Sequence, residues 1–461
     1  MKPPFDIAAD LDTPVSAWLK LAALQPRYLL ESVEGGERLA RYSFLGFGDA
    51  LELTLDRNVL SIGPQTLLRP KNQHEYLDAL RQTLALAPRL KPEAEGLPFA
   101  GGLVGVSGYD VVRLFERLPH ATQPQANIPD AAFCATSSVL VFDHLTRRVA
   151  LLHDGSEVER ASLRKEVIRL LRGAIPVSAA EVSISAPAAG MSQDDYGDRV
   201  QACKEYISSG DIYQIVLSVL FKGRSNVSPF EVYRALRLLN PSPYMFFFDF
   251  GNLKVAGSSP EALVRLNGGR ASLRPIAGTV PRGANVREDL KNEADLLADP
   301  KESAEHVMLV DLARNDLGRV AISGTISVDP YRVIERYSHV MHIVSGVQGE
   351  LAPQYDAFDL FAASFPAGTL VGAPKVRAME IIEEMETTGR GLYAGTAGYF
   401  GVSGNMDQAI TIRTLVFNGD EYSFQAGAGI VADSQPIKEY KEVLAKSAAL
   451  RGALEIAGEG L

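Results

Sequence analysis

Tight turns between β-branched, apolar runs constrain the fold of this 461-residue chain more than any other feature. Near the end of the chain, Asn418 and Gly419 separate the runs 409–417 and 422–426. An Asn-Gly pair is typical of a two-residue hairpin, because its backbone twist matches that of the flanking antiparallel strands. Longer segments with helical periodicity lie between such groups of strands. The pattern therefore predicts an α+β fold with antiparallel sheets.

Length and composition indicate more than one structural region. A single core stops growing at roughly 250–300 residues, so this chain is expected to form two domains or one elaborate body. The stretch 173–191 is rich in Ala, Ser and Pro and carries little charge, as is typical of linkers. We expect an N-terminal region at 1–172 and a C-terminal region at 192–461.

Charge and cysteine content argue against several classes of protein. The formal net charge is −10, and binding to nucleic acid or an anionic membrane needs clustered Lys and Arg instead. No window approaches the roughly 20 apolar residues of a membrane helix, and no signal-peptide pattern is visible. Cys134 and Cys203 have neither a disulfide nor a zinc spacing, so we expect a cytoplasmic protein.

Two predicted helices, at 301–316 and 435–446, each carry a pair of glutamates three residues apart. Residues at this spacing lie on one face of a helix. The pairs are Glu302 with Glu305 and Glu439 with Glu442. Carboxylates from two helices suit a hard cation such as Mg²⁺, which keeps waters and accepts substrate oxygens. The same spacing is also typical of solvated helix faces, so the pattern alone leaves both interpretations open.

Three glycine-rich segments, at 275–279, 365–375 and 425–429, place small residues where backbone N–H groups can face a ligand. Exposed N–H groups in such turns bind carboxylates and phosphates. The alternative is that these glycines only form tight structural turns.

Three polar residues interrupt predicted strands and are candidate functional residues. They are Gln214, His342 and Arg413. An arginine inside an apolar strand is costly unless it meets an anion, so Arg413 is the most suggestive of the three. A lone histidine is more often a satisfied structural residue than a catalyst.

Eight strings occur in one order along the C-terminal region, 192–461. They are DIYQIVLS, NPSPYMF, GSSPE, RPIAGTVPRG, AEHVMLVDLARNDLG, FPAGTLVGAPK, QAGAGIVADS and EYKE. In this order they closely resemble the chorismate-utilising enzyme family, whose members convert chorismate to anthranilate, aminodeoxychorismate, isochorismate or salicylate. The resemblance implies antiparallel β-sheets packed as a sandwich with helices on the outer faces.

The resemblance also implies a set of site residues. Mg²⁺ is implied to bind at Glu305 and Glu442, with Glu439 as a neighbour. The catalytic residues are implied to be His342, Glu302 and Gln214, with His342 as the general acid for departure of the C4 hydroxyl. Chorismate is implied to bind at Gly278, Thr279, Thr369, Tyr393, Arg413, Gly427, Ala428, Gly429 and Lys446.

The residue types at two positions distinguish among the activities of the family. Ala277 stands where one group of aminodeoxychorismate synthases carries a nucleophilic lysine, and alanine cannot form a covalent adduct. Gln214 stands where the water-using members carry a lysine base. We therefore expect ammonia as the nucleophile, with anthranilate and pyruvate as products. Val280 departs from the arginine of many relatives, which leaves the local substrate contacts less defined.

Two alternatives remain for the function. The first is an aminodeoxychorismate synthase, and the second is a tryptophan-sensing binding protein that has lost catalysis. Neither Cys134 nor Cys203 lies in a glutaminase motif, so a separate glutamine amidotransferase subunit is implied as the ammonia source.

The segment 29–46 resembles the regulatory element of the anthranilate-forming members of the family. This resemblance implies the first committed step of tryptophan biosynthesis, with tryptophan as a feedback inhibitor. The implied tryptophan site consists of Leu30, Glu31, Ser32, Pro243, Tyr244 and Met245. Glu31 is expected to pair with the ligand's amino group, and residues 243–245 are expected to form a wall against the indole.

Overall fold

The computed structural model describes residues 4–32, 41–93, 96–176, 182–337 and 340–461. The strands are β1 (Ile7–Ala8), β2 (Pro26–Glu31), β3 (Tyr42–Leu55), β4 (Val59–Ile62), β5 (Gln65–Leu68), β6 (Gly102–Ser107), β7 (Ala131–Asp143), β8 (Arg148–His153), β9 (Ala188–Ala189), β10 (Gln214–Arg224), β11 (Tyr244–Phe250), β12 (Leu253–Ser259), β13 (Ala262–Asn267), β14 (Arg270–Leu273), β15 (Ile276–Pro281), β16 (Ser327–Val328), β17 (Val333–Arg336), β18 (Val340–Val344), β19 (Val347–Glu350), β20 (Gly372–Ala373), β21 (Thr396–Gly401), β22 (Met406–Ile410), β23 (Thr414–Asn418) and β24 (Glu421–Ile430). The helices are α1 (Pro14–Lys20), α2 (Gln73–Leu86), α3 (Glu157–Leu171), α4 (Gln193–Ser208), α5 (Pro229–Leu239), α6 (Val286–Ala298), α7 (Pro300–Gly318), α8 (Ala357–Ser364), α9 (Lys375–Met385) and α10 (Pro436–Glu459).

Strands from both halves of the chain join one large sheet network. Strand β2 pairs with β11, and β6 pairs with β21, so the N-terminal strands continue into the C-terminal ones. A smaller sheet has the order β15-β18-β17. The paired strands of the described residues are antiparallel, as the hairpin signals predict. The division at 173–191 stays a prediction, and residues 177–181 of that stretch lie outside the described part of the chain.

The two faces of the large sheet pack against different partners. On β11, Phe246 and Phe248 enter a core built from strand side chains of both halves. Phe247 points the other way, with its ring centroid 5.0 Å from that of Trp18 on α1 and 5.2 Å from that of Phe230 on α5. This alternation places a sheet-on-sheet interior beneath outer helices. It confirms the predicted α+β sandwich with helices on its outer faces.

The end of the chain departs from the prediction in one respect. The run 409–417 is not a single strand, because it divides into β22 and β23. Arg413 lies at the break with a φ of +49°. A positive φ is costly for a residue with a side chain, and it ends the strand at this point.

The cysteines are placed as buried structural residues. Cys134 and Cys203 are free and buried, and burial raises the pKa of each thiol to about 12. Because the thiolate is the nucleophile, neither side chain is activated for catalysis. Within the ranges that the structure describes, the helices are too short or too polar to cross a membrane.

Candidate active site

A cavity of about 440 Å³ lies between helices α7 and α10 and strands β10, β15 and β24. It brings together most of the site residues implied by the sequence, although they are spread over more than 200 positions. Those that line it are Gln214, Gly278, Thr279, Glu302, Glu305, Thr369, Tyr393, Arg413, Gly427, Gly429, Glu439, Glu442 and Lys446. His342 and Ala428 are not among the lining residues.

Helix α7 carries the first pair of carboxylates into the cavity. The Asp299 side chain caps the helix by accepting hydrogen bonds from the backbone N–H groups of residues 301 and 302 at 2.8 and 3.1 Å. Burial raises the pKa of Glu305, and repulsion from Glu302 and Glu442 adds to the increase. A hydrogen bond from Gln214 to Glu305 acts in the opposite direction. The cap thus aims two partly desolvated carboxylates at one space.

Helix α10 supplies the second pair. Burial raises the pKa of Glu439, which also lies close to Glu442. Glu442 forms an ion pair with Lys446 at 2.7 Å, one helical turn away. Lys446 also donates a hydrogen bond to the carbonyl of Gly427 at 3.1 Å. The helix therefore presents both acidic and basic groups at the edge of β24.

These carboxylates fit a hard cation that is shared with a ligand. Among the described residues, no three His, Cys, Asp or Glu side chains converge tightly enough to enclose a metal by themselves. Mg²⁺ commonly binds through one or two carboxylates while waters and substrate oxygens complete its shell. The mutual repulsion of Glu302, Glu305 and Glu442 is the kind of electrostatic cost that such an ion relieves.

The cavity also contains cations next to a carboxyl group that the sequence analysis missed. Glu261 is partly buried near Arg413 and Lys446 and beside Thr369, whose hydroxyl donates to Glu261 Oε2 at 3.4 Å. Burial raises the pKa of Glu261, although both cations oppose the shift. Glu261 lies in the GSSPE string, but nothing in its spacing indicates a role. Only the fold brings it to the cavity.

The glycines at 427 and 429 lie inside strand β24 and not in a turn, which corrects the turn interpretation of this segment. A Cβ atom at Gly427 would lie 2.7 Å from the Leu217 carbonyl oxygen and 2.8 Å from the Tyr393 hydroxyl. Ala428 points to the opposite side and is fully buried in the core. The glycines thus leave open the space that side chains would otherwise fill.

The register of β24 nevertheless keeps the backbone N–H and C=O groups of Gly427 available to a ligand. Ser218 lies opposite Gly427, and its N–H donates to Glu386 at 2.9 Å instead of to β24. The members of such a pair point their N–H and C=O groups away from each other. The carbonyl of Gly427 therefore faces Lys446, and its N–H points along the same outer edge.

His342 lies behind the cavity wall on β18, opposite Thr279 of β15. Its Nδ1 is 3.0 Å from the Gly278 carbonyl oxygen and 3.1 Å from the Thr279 hydroxyl. A carbonyl only accepts, so Nδ1 carries the proton in the neutral ring. Burial lowers the pKa of His342, the hydrogen bond to the Gly278 backbone opposes this shift, and Arg413 lowers the pKa further. The implied role of His342 as the general acid stays a prediction.

A second cavity, of about 330 Å³, lies where β2 pairs with β11. The lining includes the six residues implied for tryptophan, namely Leu30, Glu31, Ser32, Pro243, Tyr244 and Met245. The antiparallel register places Met245 opposite Glu31, which explains how two distant segments meet. Part of the segment 29–46, residues 33–40, lies outside the described ranges.

Two acidic residues line this second cavity, namely Glu31, as the sequence implies, and Asp407. The Glu31 carboxylate accepts a hydrogen bond from the Tyr233 hydroxyl at 2.6 Å and pairs with Arg237 at 3.2 Å. It is therefore already neutralised on the helix side of β2. Asp407 also lines the cavity, where it pairs with Arg265 at 2.6 Å. Sequence reasoning did not identify Asp407 or Arg265.

An antiparallel sandwich whose cavity combines carboxylates with an arginine and a lysine is suited to binding a small organic anion. The model of the family described as chorismate binding enzyme matches residues 25–452. The chain belongs to this family.

Named relatives span nearly the whole chain. Anthranilate synthase component 1 of Aquifex aeolicus is 46% identical, over 98% of this chain and 94% of the relative. The protein of the same name from Pseudomonas aeruginosa is 45% identical, over 99% and 96%. The crystal structure of anthranilate synthase component I from Streptococcus pneumoniae matches with a TM-score of 0.80 and 36% identity, over 89% of this chain and 92% of that one. The menaquinone-specific isochorismate synthase MenF of Escherichia coli, at 20% identity over 96% and 92% and a TM-score of 0.71, shares the fold.

Proposed function

We propose that this chain converts chorismate and ammonia to anthranilate and pyruvate, as the large component of an anthranilate synthase in tryptophan biosynthesis. The observation that carries the proposal is the contact of Gln214 with Glu305 inside the cavity. A glutamine at this position offers no base for activating water, so ammonia is the nucleophile. The names of the full-length relatives support the same activity.

Substrate binding uses the charged groups that line the cavity. Arg413 and Lys446 attract one carboxylate of chorismate, and hydrogen-bond donors at Thr369 and along the outer edge of β24 add fixed dipoles. Glu305 and Glu442, with Glu302 and Glu439 beside them, would hold Mg²⁺. When bound, Mg²⁺ supplies charge compensation for the other carboxylate and polarises the ring for attack.

The choice of reaction rests on which side chains reach the ring. Ala277 lines the cavity and cannot form the covalent adduct that a lysine would form. Ammonia adds at C2 of the ring, and the hydroxyl at C4 leaves as water after receiving a proton. Loss of a ring proton with the enolpyruvyl group then releases pyruvate and leaves an aromatic amine. The overall reaction is that of a lyase.

Glu261 is the best-placed donor of the proton to the C4 hydroxyl. It lines the cavity, and burial holds its pKa above the ordinary carboxyl value. His342 instead contacts Gly278 and Thr279 from behind the wall, which suits a role in fixing those residues. We therefore assign the general acid to Glu261 in preference to His342.

The ammonia source is a partner component with glutaminase activity. The name "component 1" of the relatives supports a partner, and the high thiol pKa values of Cys134 and Cys203 leave no activated cysteine in the described part of this chain. Free ammonium at high pH replaces the partner, because the neutral molecule is the nucleophile.

Tryptophan is proposed to bind in the second cavity as a feedback inhibitor. Pro243, Tyr244 and Met245 provide the wall for the indole ring, and the Ser32 hydroxyl is buried with no hydrogen-bond partner within the described ranges. The Asp407–Arg265 pair, rather than Glu31, provides the charges for an amino-acid backbone. The two oppositely charged groups match an ammonium and a carboxylate.

A product assay tests the proposal. The purified chain, supplied with chorismate, Mg²⁺ and ammonium, should form a fluorescent amine identified as anthranilate by chromatography, together with an equal amount of pyruvate. Aminodeoxychorismate without pyruvate would favour the second enzyme candidate. Isochorismate or salicylate would contradict the assignment of the nucleophile. Chorismate binding without turnover, even with a glutaminase component, would indicate a binding protein.

A further inference from the structure

A buried ion pair lies beneath the floor of the active-site cavity. Arg390 is only 2% exposed, and Glu386 is only 5% exposed. The two side chains meet in a bidentate pair, with Arg390 Nε donating to Glu386 Oε2 at 3.0 Å and Nη2 donating to Oε1 at 2.8 Å. Neither residue lines the cavity, and no role in the proposed reaction requires either of them to touch substrate.

Arg390 also lies 5.0 Å from the ring centroid of buried Tyr109, and its other contacts go to three cavity-lining residues. Nη1 donates to the carbonyl of Leu370 at 2.7 Å, and Nη2 donates to the carbonyl of Val216 at 2.8 Å. The guanidinium carbon also lies 5.7 Å from the ring centroid of Tyr393, within cation–π range. Leu370 follows Thr369 directly, so one guanidinium ties the Thr369 turn, strand β10 and the Tyr393 ring together.

Glu386 extends the same network to a fourth part of the wall. It accepts hydrogen bonds from the N–H of Ser218 at 2.9 Å and from its hydroxyl at 2.7 Å. Gln425, which lines the cavity, donates to the Ser218 hydroxyl at 2.8 Å. The ion pair is therefore the common support of side chains and carbonyls on four separate stretches of chain.

Stability alone gives little reason for a charge pair at this depth. Desolvation of two ions offsets most of their attraction, and well-packed apolar side chains often replace such pairs at no cost. A guanidinium is suited to another task, because its donors form a rigid planar fork that fixes several acceptors at once. Lysine, as a point charge on a flexible stem, cannot hold two carbonyls and a carboxylate in that geometry.

We propose that Arg390, oriented by Glu386, is a positioning residue that sets the spacing of Thr369, Tyr393 and β10 around the substrate. The inference rests on the proposed function, since chorismate is the ligand whose fit it controls. A displacement of about 1 Å in an active site can reduce a rate about 100-fold. Loss of the fork should therefore reduce the efficiency of catalysis without removing any group that touches the substrate.

The test compares Arg390→Lys with a matched control, Arg113→Lys. Arg113 is a largely buried arginine that pairs with Asp110 at 2.7 Å and with Glu383, and it does not line the cavity. Both variants should lower the melting temperature. Only Arg390→Lys should lower kcat/KM for chorismate, by about 100-fold, and weaken chorismate binding measured by calorimetry without ammonium. Equal kinetics in the two variants would overturn the proposal.

A milder variant covers the case in which Arg390→Lys does not fold. Glu386→Gln removes the charge but keeps one acceptor oxygen, and the bonds of Arg390 to Leu370 and Val216 remain possible. It should lower kcat/KM for chorismate by about tenfold, because Arg390 loses a supporting hydrogen-bond partner. Unchanged kcat/KM would again overturn the proposal. The wild-type assay separates this result from a failure of the proposed function, which would leave wild type without anthranilate formation.

Discussion

The two cavities of this protein are built differently, although both lie on one sheet network. The first is surrounded by carboxylates, cations and strand glycines, and its Glu305 and Glu439 have raised pKa values because they are partly desolvated and close to other acids. The second is walled by Tyr244 and Met245, and its charges are already paired. The close, partly desolvated carboxylates of the first cavity suit a cation and a reacting anion. The paired charges and apolar walls of the second cavity suit reversible binding.

The largest expected effect is confined to the first cavity. Glu442→Gln keeps the shape of α10 but removes a charge from the implied cation site. Chorismate-dependent anthranilate formation should fall by about 1,000-fold or more, because a bound metal is worth several kcal/mol in the transition state. Activity is measured against Mg²⁺ concentration, and circular dichroism checks the fold.

The control for this variant lies on the same helix. Glu455 is exposed on α10, roughly two and a half helical turns beyond Lys446, and Glu455→Gln should leave activity unchanged. Tryptophan should still bind to both variants with wild-type affinity, because the second cavity is separate. Full activity in Glu442→Gln would refute its assignment to the cation site.

A pH profile distinguishes the two candidates for the general acid. Burial raises the pKa of Glu261, so its carboxyl keeps the required proton to higher pH and the rate falls as pH rises through that pKa. Glu261→Gln should lower kcat by about 100-fold and remove this limb of the profile. His342→Gln should leave the limb in place. If the limb disappears with His342 instead, the assignment to Glu261 is wrong.

A smaller effect is expected where Gln214 supports Glu305. Gln214→Ala removes the hydrogen bond to a carboxylate of the implied cation site. Loss of such a supporting partner typically weakens metal affinity about tenfold or more. The Mg²⁺ concentration for half-maximal activity should rise accordingly, while kcat at saturating Mg²⁺ changes less. An unchanged dependence of activity on Mg²⁺ concentration would show that Gln214 does not support the cation site.

The sequence could predict those parts of the molecule that depend on local pattern. Asn418-Gly419 specifies its hairpin, and the spacing of Glu302 and Glu305 places both on one helix face, as observed. Glu261 could not be identified in this way, because its significance arises only when distant strands and helices enclose it. The same holds for Arg390, which acts through carbonyls that no sequence pattern reveals.

Two other differences have simple physical reasons. The strand alternation of β2 turns the Glu31 carboxylate toward Tyr233 and Arg237, which neutralise it, although Glu31 still lines the second cavity. Period-two alternation in the sequence contained this information. The break at Arg413 did not follow from composition, since a β-rich run gives no sign that one residue adopts a positive φ.

The smallest expected effect belongs to the second cavity and completes the comparison. Ser32→Ala removes a buried hydroxyl that has no partner within the described ranges and is therefore available to a ligand. Loss of one neutral hydrogen bond costs about 1 kcal/mol, so the tryptophan concentration for half inhibition should rise about fivefold. Turnover without tryptophan should match wild type, because Ser32 lies outside the first cavity. Inhibition that is unchanged in Ser32→Ala and also in Asp407→Asn would place the regulatory site elsewhere, and the two cavities would then not divide catalysis from control.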